Sequence, residues 1–126
     1  MSSAYLLIAH GSREEGSNRD FLDLVARFAK AHPQERVVGA FLELENPLIP
    51  EGLDRCVAAG AEDVFVVPLM LFWGRHVKQD IPKIIDDART RHPHVRFHYA
   101  GPLADHPQFL SLLEKLVQTF ADGRKP

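Results

Sequence analysis

Two imidazoles and a carboxylate stand at even intervals along this chain: His10, Glu43 and His76, 33 residues apart at each step (43 − 10 and 76 − 43). Histidine nitrogen combined with carboxylate oxygen suits a first-row transition metal. Each residue follows an apolar run, residues 4–9 before His10, 37–42 before Glu43 and 64–67 before His76. The interval is close to one strand–helix unit, so three neighbouring units would each deliver one ligand to the same edge of a sheet. Taken singly, each has an ordinary explanation: a turn histidine, a solvated loop carboxylate, a histidine at a helix start. Their common edge is what raises a metal site to an expectation.

The elements that must position them can be read in order. Residues 4–9 are continuously apolar, as in a strand buried on both faces. A helix follows over about 17–31, with Phe21, Leu22, Leu24, Val25 and Phe28 at helical spacing, and His32-Pro33 ends it. The second strand covers 36–42, Asn46-Pro47 marks a turn or helix start, and the second helix runs over 48–59 with Gly60 as its cap. The third strand is 63–68, followed by an apolar loop, 69–73. The third helix spans about 76–91, with Ile81, Ile84, Ile85 and Ala88 on one face. Pro82 falls in its second turn, so the helix kinks there or begins only near Asp80. The fourth strand is 95–100, the last helix 107–120, and 122–126 reads as a frayed tail. The pattern βαβαβαβα predicts an α/β fold: a single domain, residues 1–126, with a four-stranded parallel sheet covered by helices on both faces.

Bulk properties narrow the function. A chain of 126 residues with net charge −2 has no basic block for nucleic acid. Its single cysteine, Cys56, excludes an intrachain disulfide framework and suits a reducing compartment; it reads as a small buried hydrophobe. The apolar stretch after Met1-Ser2-Ser3 is too short for a signal sequence or a membrane span, so the cytoplasm is expected. The sequence has no G-x-S-x-G elbow, no phosphate loop, no G-x-G-x-x-G and no paired C-x-x-C. Ser12 therefore lacks the setting of a hydrolase nucleophile. His10 as a phosphoryl acceptor has no arginine directly before it.

Other residues gather near the candidate edge. Arg13, Arg19, Arg75 and Lys78 could meet an anionic ligand, arginine suiting carboxylates well. Within Leu69-Met70-Leu71-Phe72-Trp73 some side chains belong to the core, and the rest could wall a flat hydrophobic ring. The helix start, with Arg75 and Lys78 nearby, should favour neutral imidazole at His76, the form that binds metal. His32 and His92 sit at helix ends, His94 and His98 near strand four, and His106 after it with at most a secondary role at the site.

Leu7-Ile8-Ala9-His10-Gly11-Ser12-Arg13, then Phe41-Leu42-Glu43-Leu44 with Pro47, then Val67-Pro68-Leu69-Met70-Leu71 leading to Gly74-Arg75-His76 and Asp80-Ile81-Pro82, together resemble the small CbiX and SirB-type sirohydrochlorin chelatases. The resemblance runs through Gly101-Pro102-Leu103. It implies insertion of a divalent metal into sirohydrochlorin, or into precorrin-2: cobalt towards cobalamin or iron towards siroheme, with nickel used by related enzymes. It maps the family's metal-site histidines, the catalytic residues, onto His10 and His76, and its acidic ligand onto Glu43. The metal is then a substrate and no organic cofactor is needed. Longer members carry two such domains, so a single-domain chain is expected to act as a homodimer. Phe72 and Trp73 would shelter the macrocycle while Arg13, Arg75 and Lys78 hold its carboxylates. A rival reading is a tetrapyrrole or metal carrier without turnover.

Overall fold

The apolar runs pair side by side in the computed structural model, which describes residues 2–123. In chain order the elements are β1 (Ser3–Ala9), α1 (Glu15–Ala31), β2 (Arg36–Phe41), α2 (Ile49–Ala58), β3 (Asp63–Pro68), α3 (Ile81–Arg91), β4 (Arg96–Tyr99) and α4 (Pro107–Ala121). A π-helical turn, His76–Asp80, leads into α3, and a 3₁₀ turn, Leu103–Asp105, precedes α4. The four strands are parallel in the order β2-β1-β3-β4. Leu6 lies opposite Val38 on one side and Val66 on the other, so the first three strands end nearly level. Residues 124–126 of the expected frayed tail lie outside the described residues.

Strand order decides which face each helix covers. The chain steps from β1 outward to β2, then reverses across β1 to β3 and on to β4. Right-handed crossovers therefore put α1 on one face and α2 with α3 on the other. The second face holds most of the core. Ala4, Leu6, Ile8, Val38, Ala40, Val64, Val66 and Phe97 meet Ile49, Leu53 and Cys56 of α2 and Ile81, Ile85 and Ala88 of α3. On the first face Leu7 and Phe41 pack with Phe21 and Val25 of α1.

The expected cover on both faces holds for α1, α2 and α3, but not for α4. Its sequence has the apolar content of a packed helix, yet none of its residues is buried. The β3–β4 half of the α1 face stays bare: Phe65 and His98 are exposed there, their rings stacked 4.6 Å apart. The cause lies in the connection. Amides of Leu103 and Ala104 donate to the carbonyls of Met70 and Leu71, pinning the 3₁₀ turn to the β3 loop and sending α4 away from the sheet.

Candidate functional site

The site grows from the carboxyl ends of β1 and β2, whose pairing continues past the strands. The Leu42 amide donates to the Ala9 carbonyl at 2.9 Å, and the Glu43 amide to the His10 carbonyl at 3.1 Å. His10 and Glu43 are thus neighbours by backbone register. The approach is so close that only glycine fits next: a Cβ on Gly11 would stand 1.8 Å from the Glu43 carbonyl oxygen, and its φ is +96°. From α1, the buried Asn18 side chain clasps the following loop, accepting from the Ser12 amide at 3.0 Å and donating to the Ser12 carbonyl at 2.8 Å. The Ser12 hydroxyl accepts from the Glu14 amide. Ser12 and Asn18 thus shape the loop.

His76 arrives from β3. The Leu69 amide donates to the Ile8 carbonyl at 2.8 Å, holding the apolar loop to the same edge. The loop then enters the π-helical turn, in which the Ile81 amide reaches the His76 carbonyl five residues back. Of the two sequence readings, a kink at Pro82 or a start near Asp80, the second agrees with α3, which begins at Ile81; the π-helical turn ahead of it is the feature that reading lacked. Pro82 has no amide to offer the Lys78 carbonyl, so a regular α-helical turn loses a bond there. Wide turns of this kind recur at functional sites.

His10 stands beside each of the other two candidates. His10 Nε2 lies 3.6 Å from Glu43 Oε2, and the His10 and His76 rings are 5.0 Å apart, centroid to centroid. The other nitrogen of each ring is engaged: His10 Nδ1 lies 3.2 Å from the Gly11 carbonyl, and His76 Nδ1 lies 2.7 Å from Asp80 Oδ2. With Nδ1–H donating to those oxygens, Nε2 of both rings stays available as a lone-pair donor. The side chains are about half exposed. Among the described residues, no three His, Cys, Asp or Glu side chains close into a metal cage.

Asp80 escaped the sequence reading, although it sits four residues after His76, the spacing that places two helical side chains on one face. Its carboxylate lies 2.7 Å from His76 Nδ1 and fixes the orientation of the ring. Asn18 gave no signal, because its partners are backbone atoms of a distant loop.

Around the donors the surface divides by character. Phe72 and Trp73 project at 70% and 51% exposure, and Leu71 is exposed beside them, while Met70 turns into the core. Trp73 Nε1 donates to Asp105 Oδ2, and the ring lies over Gly101, where a Cβ would meet it at 3.2 Å. Arg13, Arg75 and Lys78 are exposed on the β1 loop, before the π-helical turn and within it. Arg19 borders a small groove with Glu15, Asn18, Leu22 and Glu45.

Four other histidines make contacts within the fold. His32 and His92 cap α1 and α3, His92 also meeting Asp54 at 3.0 Å. His98 bonds Asp63 at 2.9 Å, and His106 Nε2 lies 2.8 Å from the Ala100 carbonyl. Two hydrogen bonds from Arg96, with a third contact from His98, hold the Asp63 carboxyl well below the usual carboxylate range. Burial pushes the Cys56 thiol up to about 12, in keeping with its place in the core.

Known proteins are similar to this chain in sequence and fold. The profile of the CbiX family matches residues 4–120. The sirohydrochlorin cobaltochelatase of Priestia megaterium is 40% identical over 114 residues, which are 90% of this chain and 37% of that protein. The sirohydrochlorin ferrochelatase of Bacillus subtilis strain 168 is 37% identical over 106 residues, 82% of this chain and 40% of its own. A solved CbiX protein named for cobalamin (vitamin B12) biosynthesis, from Marinobacter aquaeolei VT8, superposes with a TM-score of 0.77 at 26% identity, covering 95% of this chain and 98% of that one. The chain thus spans less than half the length of the two chelatases that it matches. With a profile match over nearly its whole length, the chain belongs to the CbiX family.

Proposed function

We propose that this protein inserts a divalent metal into sirohydrochlorin, cobalt first and iron next. The observation that carries the reading is the convergence of His10, Glu43 and His76 at one sheet edge beside the exposed Phe72 and Trp73. The names of the two chelatases, one for cobalt and one for iron, supply the reaction class and the two metals. His10 and His76 give Nε2 and Glu43 gives a carboxylate oxygen to the incoming ion. The macrocycle slides over Phe72 and Trp73, with its carboxylates towards Arg13, Arg75 and Lys78.

The reaction exchanges two protons for one dication: both pyrrole N–H bonds break, the four ring nitrogens take the metal, and two protons leave. An imidazole that has released the metal is free to accept a proton, and Glu43 lies within reach to pass it on. The ion and the tetrapyrrole are both substrates, and no organic cofactor takes part. The proposal extends to a cytoplasmic homodimer. Among the described residues no helix is long and apolar enough to cross a membrane.

The test is insertion under multiple turnover. Protein at a tenth of the sirohydrochlorin concentration, with Co²⁺, Fe²⁺ or Ni²⁺ in parallel, is followed by the change in ring absorption. Faster conversion than without protein, strongest with Co²⁺, is expected. Conversion that stops at one equivalent of protein identifies a carrier, and a rate equal to the uncatalysed one overturns the proposal. Precorrin-2 in a parallel series decides between the two tetrapyrroles.

A further inference from the structure

Leu44 stands against two local rules at once. Its φ is +71°, in the left-handed region where a Cβ crowds the following carbonyl and glycine, asparagine or aspartate is the ordinary choice. Its side chain is also 55% exposed, so it adds little to the core. A leucine that neither relaxes the backbone nor fills the interior is a local conflict of the kind found where function sets the residue.

The backbone around it is held firmly. Just before it, the Glu43 amide donates to the His10 carbonyl at 3.1 Å, and the Glu43 carbonyl abuts Gly11. Around the whole turn, the Phe41 amide donates to the Pro47 carbonyl at 2.9 Å, and Phe41 pairs with Leu48. The turn is closed at its base, so the conformation of Leu44 is imposed by its surroundings.

The sheet order says what this side chain meets. β1, which delivers His10, lies between β2 and β3. Leu44 follows β2 on one side. Phe72 and Trp73 follow β3 on the other, and Trp73 is drawn further that way, over Gly101 and onto Asp105, both beyond β4. Exposed apolar side chains thus stand on both flanks of His10. A flat macrocycle whose central nitrogens come to a metal held there must spread over both flanks, and Phe72 and Trp73 cover only one.

We infer, resting on the chelatase reading above, that Leu44 is a substrate-binding residue: the apolar contact for the half of the tetrapyrrole that lies over the β2 flank. The left-handed backbone turns a leucine out of the fold to meet the ring.

The experiment is calorimetric titration of sirohydrochlorin into the full chain without metal. Leu44→Asn is the variant of choice, because asparagine accepts the left-handed backbone but presents a polar side chain. Its affinity for sirohydrochlorin should fall about 10-fold, the order expected when part of one leucine side chain loses its cover. Its urea midpoint should rise, because the backbone is relieved. Co²⁺ titrated without tetrapyrrole should bind it as tightly as wild type, since Glu43 keeps its place. Leu44→Met, which puts back an apolar side chain, should recover most of the lost affinity for the ring.

An affinity of Leu44→Asn for sirohydrochlorin within about 2-fold of wild type overturns the inference. So does a lower urea midpoint, which would make the leucine a folding residue, or a parallel loss of Co²⁺ affinity, which would make it a support for Glu43. Weaker sirohydrochlorin binding by Leu44→Asn, in a protein whose wild type inserts no metal, overturns the chelatase reading and supports the contact. A wild type that binds no sirohydrochlorin overturns both.

Discussion

The carbonyl oxygen of Glu43 occupies the place where any residue other than glycine at position 11 would put its Cβ, 1.8 Å away. This contact fuses the His10 loop to the Glu43 loop, and with them two of the three proposed metal donors. Gly11→Ala should therefore fail twice. A positive φ and a backbone clash should lower stability by roughly 1–3 kcal/mol. The rearranged loop should reduce insertion more than 10-fold even at temperatures where the variant is fully folded. Urea unfolding beside the insertion assay measures both; unchanged values would remove the contact from the account.

His10→Ala should abolish turnover with no change in the unfolding midpoint, since the ring is half exposed and packs no core. Asp80→Asn should be milder. It leaves a side chain able to accept from His76 Nδ1 but removes the charge that holds the ring, a change worth about 10–100-fold in metal affinity at comparable sites. Titrating Co²⁺ into the protein without tetrapyrrole reads this directly. Equal affinities for wild type and Asp80→Asn would show that the carboxylate only ends the turn.

Asp63 ties β3 to β4 at the sheet edge opposite the site. Its carboxyl is held down chiefly by hydrogen bonds from Arg96, then by His98. A carboxyl depressed in the folded state stabilises above its unfolded pKa of about 3.9 and loses that contribution as pH falls below it towards the folded value. Asp63→Asn should accordingly flatten the acid side of the stability curve while changing its slope little near neutrality. A variant that retains the wild-type acid limb would contradict this assignment.

Cys56 offers a test of the core. It is fully buried between α2 and the sheet, and burial raises its thiol to about 12. The native protein should react with a thiol reagent only as fast as it opens, and at once in denaturant. Rapid labelling without denaturant would mean that α2 is poorly seated.

Much of this was legible in the chain. The continuous apolar run at residues 4–9 reads as a strand buried on both faces, residues 63–68 read as a second strand, and the ligand edge followed from their ends. His10 and Glu43 stood where expected because strand register alone fixes them. His76 was harder. Its position depends on how the backbone absorbs Pro82, and the choice between a kink, a late start and a π-helical turn rests on hydrogen bonds that no periodicity encodes. Asp80 was visible in principle by its spacing from His76. Asn18 was not, since its role lies in backbone contacts made only after folding. The composition of α4 announced burial but not against which surface, because apolar spacing names a face and never the molecule that covers it.

Trp73 is the only tryptophan in the chain, and Asp105 fixes its indole just ahead of the π-helical turn that carries His76, with half of its surface in water. The protein therefore carries its own lamp. Every photon of tryptophan emission originates within contact distance of the space where a tetrapyrrole would lie, and an absorbing macrocycle there would darken it. If the proposed function holds, arrival of a tetrapyrrole and its departure as a metal complex can be timed on the unlabelled protein, one signal for one site, with no tryptophan background from elsewhere in the fold.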